Sequence, residues 1–113
     1  MIIAFSVQPT GEPSDPSITR DLGAGSDAAS VHDAVAAAVR VVRESGLPTR
    51  TSSMFTEVEG EWDEVMDVVR RATDEAGRYG SRVSLVLKAD IRPGRTGELD
   101  GKIDRLDAAL EAR

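Results

Sequence analysis

The 113-residue chain contains no cysteine. That single absence excludes disulfides, thiolate catalysis and Cys-ligated metals together, and it fits a cytoplasmic location. Positive charge is also scarce: 14 Lys and Arg stand against 20 Asp and Glu, a formal net charge of −6. Phosphate backbones are held by clustered Lys and Arg, so this balance argues against a nucleic-acid partner and mildly favours a cationic ligand. Aromatics are few, and the outward positions of the first and last expected strands carry none, so an RNA-stacking sheet is not expected either. No run is long and apolar enough to cross a bilayer, and no membrane partner is expected. The opening Met1-Ile2-Ile3-Ala4-Phe5 is apolar, but no basic region precedes it and no cleavage pattern follows. It reads as a first strand rather than a signal peptide.

Motifs of chemistry are missing as well. The sequence has no His-Glu-x-x-His, no Walker loop, no G-x-S-x-G and no G-x-G-x-x-G. The one histidine, His32, falls early in a helix and reads as a solvent-exposed side chain. Without cysteine partners it makes a poor metal site. No nucleophile and base can be paired, so neither an enzyme nor a metal or cofactor is expected.

What is present describes a globular chain: 40% hydrophobic and 30% charged residues. The length suits a single domain spanning 1–113, small enough to gain stability by assembling into oligomers. Ile3, Phe5 and Val7 alternate with Ile2, Ala4, Ser6 and Gln8 in a first strand, ended by Pro9. A long loop over 9–29 is rich in Gly, Pro, Ser and Asp, and reads as a surface insertion or, alternatively, a lid. Ser30 opens a helix in S-x-x-D spacing with Asp33, and Val31, Val35, Val39 and Val42 form its apolar stripe, backed by Ala34, Ala38 and Val41. Gly46 supplies a left-handed cap and Pro48 follows.

Thr49–Met54 and Phe55–Glu59 read as two strands of a tight hairpin. A second helix places Trp62, Val65, Val69, Ala72 and Ala76 on one side, ending at Gly77 and Gly80. Arg82–Arg92 is a strand in which Val83, Leu85, Leu87, Ala89 and Ile91 should face the helices. A loop over 93–97 leads to a last helix striped by Leu99, Ile103, Leu106 and Leu110. This order, β-α-β-β-α-β plus a C-terminal helix, predicts an α+β, ferredoxin-like fold with both main helices on one face of a four-stranded antiparallel sheet. The other face, carrying Ile2, Ala4, Ser6, Val86 and Lys88, is left bare, and a half-apolar exposed face meets a subunit or a ligand.

Glu61, Asp63 and Glu64 are explained by the preference of helix starts for acids. Glu57 and Glu59 lie in a strand, where acids are depleted, and share a side from which a carboxylate can hold a cation or an amine. Lys88, Asp90 and Arg92 share one strand face as a charge network. Arg92-Pro93-Gly94-Arg95-Thr96-Gly97 has a weak likeness to an anion-binding loop feeding a helix N-terminus.

Three segments also resemble a known family. Ile3 to Gly11, with its Pro9-Thr10-Gly11 turn, resembles the opening strand of the thiamine-binding-protein family, long catalogued as a domain of unknown function. Met54-Phe55-Thr56-Glu57-Val58-Glu59-Gly60 resembles its central Thr-x-x-Glu-Gly segment, and Val83 to Arg92 its last strand. The likeness covers nearly the whole chain except Glu12 to Ala29, which is longer than usual. It implies a ferredoxin-like subunit that assembles into dimers and tetramers through its sheet, and binding of thiamine or its hydroxymethylpyrimidine part near subunit interfaces. It implies no known reaction.

An aminopyrimidine needs an aromatic or Met wall and a few hydroxyl or carboxylate partners. The ligand-binding candidates are therefore Ser6, Gln8, Thr51, Ser53, Met54, Phe55, Thr56, Glu57 and Lys88. Non-catalytic binding by a homo-oligomer, a dimer of dimers, is the reading. The alternative is a structural or regulatory interaction module with no small-molecule ligand.

Overall fold

The computed structural model describes residues 1–18 and 27–112, with only the backbone given for 27–30. The elements are β1 (Ile2–Thr10), α1 (Asp27–Glu44), β2 (Thr49–Thr51), β3 (Thr56–Glu59), α2 (Trp62–Ala76) with a 3-10 turn Gly77–Tyr79, β4 (Arg82–Asp90) and α3 (Glu98–Glu111). The sheet runs β2-β3-β1-β4 and every pairing is antiparallel. This is the α+β, ferredoxin-like arrangement expected. No helix among the described residues is long and apolar enough to cross a membrane.

Cross-strand partners share a face of a pleated sheet, so the register separates the two sides. Ile3 pairs with Val58 and Ala89, and Phe5 with Thr56 and Leu87. Ile3, Phe5, Val7 and Val58 are buried against Ala34, Ala38 and Val42 of α1 and Val65, Val68, Val69, Ala72 and Ala76 of α2. Each fully buried Val, Ile or Phe side chain contributes roughly 1.5–3 kcal/mol by leaving water.

Several expected boundaries and faces shift. α1 begins at Asp27 rather than Ser30, whose side chain lies outside the described residues, as do residues 19–26 of the expected 9–29 loop. The buried side of α1 is its alanine side, with Ala34, Ala37, Ala38 and Val42 inside and Val35 39% exposed. Small side chains let a helix sit close on its neighbours, and Val31, Val35 and Val39 move to the flank while Val42 stays inside. β1 continues through Pro9 to Thr10. β3 pairs with β1 only as far as Phe5, so Pro9 has no second ladder to serve and its missing N–H is tolerated. β4 stops at Asp90, and although its parity is as expected, Leu85 and Ile91 are exposed. As the sheet's outer strand, β4 reaches beyond the cover of α1 and α2. Trp62, expected as an anchor of the core or of an interface, is 54% exposed and so is not a core residue, because the first turn of α2 lies past the end of the core. Gly46 takes the left-handed conformation expected, with φ +80°.

On the opposite side of the sheet the register gives rows: Ile2 with Glu59 and Asp90, Ala4 with Glu57 and Lys88, Ser6 with Val86, and Gln8 with Ser84. Arg50 extends the second row beside Glu57. The first turn of α3 covers the first row, where Ile2, Glu59, Glu98 and Leu99 are all buried. Beyond that turn the helix is mostly exposed, including Leu106 and Leu110. Among the described residues the other rows stay open, apart from the ion pair that Arg50 at the end of the second row makes with Asp100 of α3.

Candidate functional site

β3 ends short of β1, and that mismatch makes a pocket. Past Phe5, no described strand pairs with the β3 side of β1. The gap beside Ser6 and Val7 is closed by the β2–β3 turn on one side and by Val35, Ala38 and Val39 of α1 on the other, enclosing about 130 Å³.

Local hydroxyl chemistry shapes the turn. The Ser52 N–H donates to the Phe55 carbonyl at 2.8 Å, and the Ser52 hydroxyl accepts from the Phe55 N–H at 3.2 Å. Ser and Thr hydroxyls compete with strand ladders in this way, so β2 ends at Thr51 instead of running to Met54. The Thr49 hydroxyl donates to the Glu57 carbonyl at 2.9 Å and fixes the hairpin's other end.

The pocket therefore has two textures. Phe5, Val7, Val35, Ala38 and Phe55 make it apolar, while Thr51, Ser53 and Thr56 bring hydroxyls. Among the described residues those three hydroxyls make no hydrogen bond in the protein. Met54, 74% exposed, stands at the rim. No charged side chain lines the pocket among the described residues. Such a lining accepts a flat, neutral ring through its faces and a few polar atoms through hydroxyls and backbone.

Of the nine residues singled out from sequence, the structure gathers Thr51, Ser53, Met54, Phe55 and Thr56 around this pocket, with Ser6 at its wall. Ser6 shares the parity of Ala4, which puts its side chain on the open face and leaves its backbone to the pocket. Glu57 and Lys88 are not there. They flank Ala4 on the open face, and Gln8 is exposed two rows further along. Residues from α1 were missed, although a valine stripe running beside an alanine stripe is a visible sign of a helix with two working faces.

The other strand carboxylate, Glu59, has a structural partner. It is 6% exposed and accepts hydrogen bonds from the backbone N–H groups of Glu98 (2.8 Å) and Leu99 (3.3 Å). The helix start that residues 92–97 lead into thus already holds an anion, and the anion is internal. Glu98 is itself buried, with Arg105 hydrogen-bonded at 2.7 Å and Arg95 and Arg92 at 3.6 and 3.9 Å. The Arg105 hydrogen bond, helped by the charge of all three arginines, holds the Glu98 carboxyl below the usual glutamate range against the opposing effect of desolvation. The expected network of Lys88, Asp90 and Arg92 runs instead to α3: Lys102 pairs with Asp90, and Arg92 approaches Glu98. At the start of α2 the acids do what helix starts favour, the Glu61 N–H donating to Glu64 Oε1 at 3.1 Å.

Comparison with known proteins bears on the family and the fold. A family model described as thiamine-binding protein matches residues 22–107. The UPF0045 protein Mb1933 of Mycobacterium bovis is 40% identical over 111 residues, 97% of this chain and 94% of that one. The structure of a domain of unknown function, DUF77, from Bacillus cereus superposes with a TM-score of 0.69 at 29% identity, covering 90% of this chain and 85% of the other. The hypothetical protein MJ1052 from Methanocaldococcus jannascii shares the fold at a TM-score of 0.70 and 22% identity, covering 94% of both chains.

Proposed function

The chain belongs to the thiamine-binding protein family, and from that premise we propose that it binds thiamine or a related pyrimidine without transforming it, in the pocket between α1 and the β2–β3 turn. The observation that carries this reading is the lining: aromatic and aliphatic walls, hydroxyls on Thr51, Ser53 and Thr56 that make no hydrogen bond among the described residues, and no charged group among those residues. A hydroxymethylpyrimidine offers a flat ring with nitrogen acceptors and an amine donor, which suits those walls and hydroxyls. The thiazolium of thiamine carries fixed positive charge and points out past Met54 to solvent, where the net negative chain favours it.

The chain works as a cytoplasmic homo-oligomer, a dimer of dimers that covers the open sheet face. Val86, 53% exposed in the middle of that face, supports the reading. So does the outer edge of β4, nine residues long, which pairs with no other strand among the described residues. Titration calorimetry with thiamine and with hydroxymethylpyrimidine tests the ligand. Saturable heat from both, with comparable affinities, is expected. No heat from either at millimolar ligand, with assembly intact, leaves the alternative of an interaction module that has no small-molecule ligand.

A further inference from the structure

The loop over residues 92–97 is not used by the reading above, and its arginines stand beside the chain's one tryptophan. Ile91, Arg92 and Arg95 form one side of a groove of about 200 Å³, and Trp62 and Glu61 the other. The groove sits at the far end of β1 from the hairpin pocket and shares no lining residue with it. Trp62 and Ile91 are 54% and 56% exposed, which leaves an indole face and a branched aliphatic side chain available beside the two arginines.

The charge around the groove is lopsided. Glu98, beneath it, is hydrogen-bonded by Arg105 at 2.7 Å, and Arg92 and Arg95 lie 3.9 and 3.6 Å away, beyond hydrogen-bond range. Among the described residues no hydrogen bond engages either guanidinium. The helix N-terminus that this loop leads into is already taken by Glu59, so the arginines are not needed to hold it. Glu61, the carboxylate lining the groove, is tied to the start of α2 in a capping arrangement with Glu64.

We propose that the Trp62–Arg92–Arg95 groove binds a planar heteroaromatic anion, the ring stacked on the indole and its phosphate or carboxylate held by the two guanidinium groups. Guanidinium forks match the geometry of such oxyanions, and each indole or guanidinium plane also offers a stacking surface. This site is independent of the pyrimidine pocket and takes the opposite charge. In a chain of net charge −6, an anion binds only where cations outnumber the carboxylates beside them, and here Arg92, Arg95 and Arg105 all share the carboxylate of Glu98.

Trp62 is the only tryptophan, so fluorescence quenching reports this groove directly. The full chain is titrated with adenosine 5′-monophosphate, adenosine and inorganic phosphate. Saturable quenching by the monophosphate is expected, with adenosine and phosphate each at least about tenfold weaker, the factor set by losing one charge-assisted anchor or the stack. Arg92→Gln and Arg95→Gln each weaken the monophosphate at least about fivefold and leave adenosine unchanged. Calorimetry on Trp62→Phe, which keeps a smaller ring, shows a partial loss. The proposal is overturned by no saturable quenching up to about 10 mM monophosphate, a concentration that detects even millimolar binding. It is equally overturned if both arginine variants bind the monophosphate like the parent chain. A change in sedimentation for Trp62→Phe or Arg92→Gln without monophosphate binding makes the groove a subunit interface, and that too overturns it.

Discussion

The carboxylate of Glu59 accepts hydrogen bonds from the backbone N–H groups of Glu98 and Leu99, 39 and 40 positions further along the chain. A strand residue thus caps a distant helix, and this contact joins α3 to the sheet where Ile2 and Leu99 are also buried. The pairing works because free N–H groups at a helix start carry partial positive charge.

Removing that carboxylate strands two buried donors. Glu59→Ala should destabilise the chain by about 1–3 kcal/mol, the cost of unsatisfied buried polar groups, and Glu59→Gln by less because it keeps one acceptor oxygen. Denaturant melts measure the loss. Hydrogen exchange at residues 98–101 should speed up more than exchange in α2, which is held by its own core contacts. Equal acceleration in both helices would show that Glu59 supports global stability and not α3 alone.

How much of this was legible in the sequence depends on range. The alternation of Ile3, Phe5 and Val7 and the helical spacing of Val65, Val69, Ala72 and Ala76 gave the elements and their inner faces, because periodicity is a local signal. The hairpin was half legible. Thr51-Ser52-Ser53 is a turn composition, and Ser52 closes the turn through its own hydroxyl, so the strand expected to reach Met54 ends early. Glu57 and Glu59 were rightly given the same side, yet one faces solvent in a charged row and the other is spent on α3. Nothing local distinguishes them, since the partner of Glu59 lies across the fold. Trp62 fits the spacing of the buried stripe of α2 but falls beyond the sheet's end, a fact of element length rather than pattern.

The split of the candidate residues between two faces separates their effects on ligand. Val35→Phe fills the mouth of the pocket from a position that is already 39% exposed, so it should block binding with little change in stability. At least about a tenfold loss of thiamine affinity is expected, the scale of losing a well-packed ring contact. Glu57→Gln, on the open face, should leave affinity within about twofold, as surface substitutions away from a site do. Calorimetry on both variants checks the pair. A large loss in Glu57→Gln and none in Val35→Phe would move the ligand to the open face.

Acid should release the segment that follows β1. Asp15 accepts hydrogen bonds from Arg78 at 2.6 and 3.0 Å, and the Ser14 hydroxyl donates to the Gly77 carbonyl. The Arg78 hydrogen bonds, aided by those from Ser17, pull the Asp15 pKa down to about 2, and Asp15 in turn raises that of Arg78. A carboxyl depressed in the folded chain contributes stability in full above its unfolded value near 4 and loses it as pH falls through about 2. Glu98, also depressed, acts in the same direction at the start of α3. Limited proteolysis at residues 12–18 should therefore rise between pH 4 and 2. In Asp15→Asn it should be fast already at pH 7, with a flatter acid dependence. The same pH dependence in Asp15→Asn and the parent chain would place the titrating group elsewhere.

The proposed assembly through the sheet rests on the open rows, and Val86 is the place to test it. It pairs with Ser6 in the middle of the face, next to the row of Ala4 and Lys88, and is 53% exposed. A carboxylate there is well solvated in a lone subunit, so Val86→Glu should fold normally, with a far-UV spectrum like the parent's. In an assembly that buries this face it becomes an unpaired buried charge, an arrangement costing several kcal/mol. Sedimentation velocity should therefore show a shift to smaller species, with a melting temperature that no longer depends on protein concentration. The exposed Leu106 and Leu110 of α3 provide the contrast, since Leu106→Asp with Leu110→Asp alters the helix stripe without touching the sheet. If Val86→Glu leaves the parent species intact and the double substitution dissociates it, the subunits meet along α3. The open face would then be expected to meet another partner, because a half-apolar layer beside a β4 edge that no described strand pairs is an exposed surface of the kind that marks an interaction site.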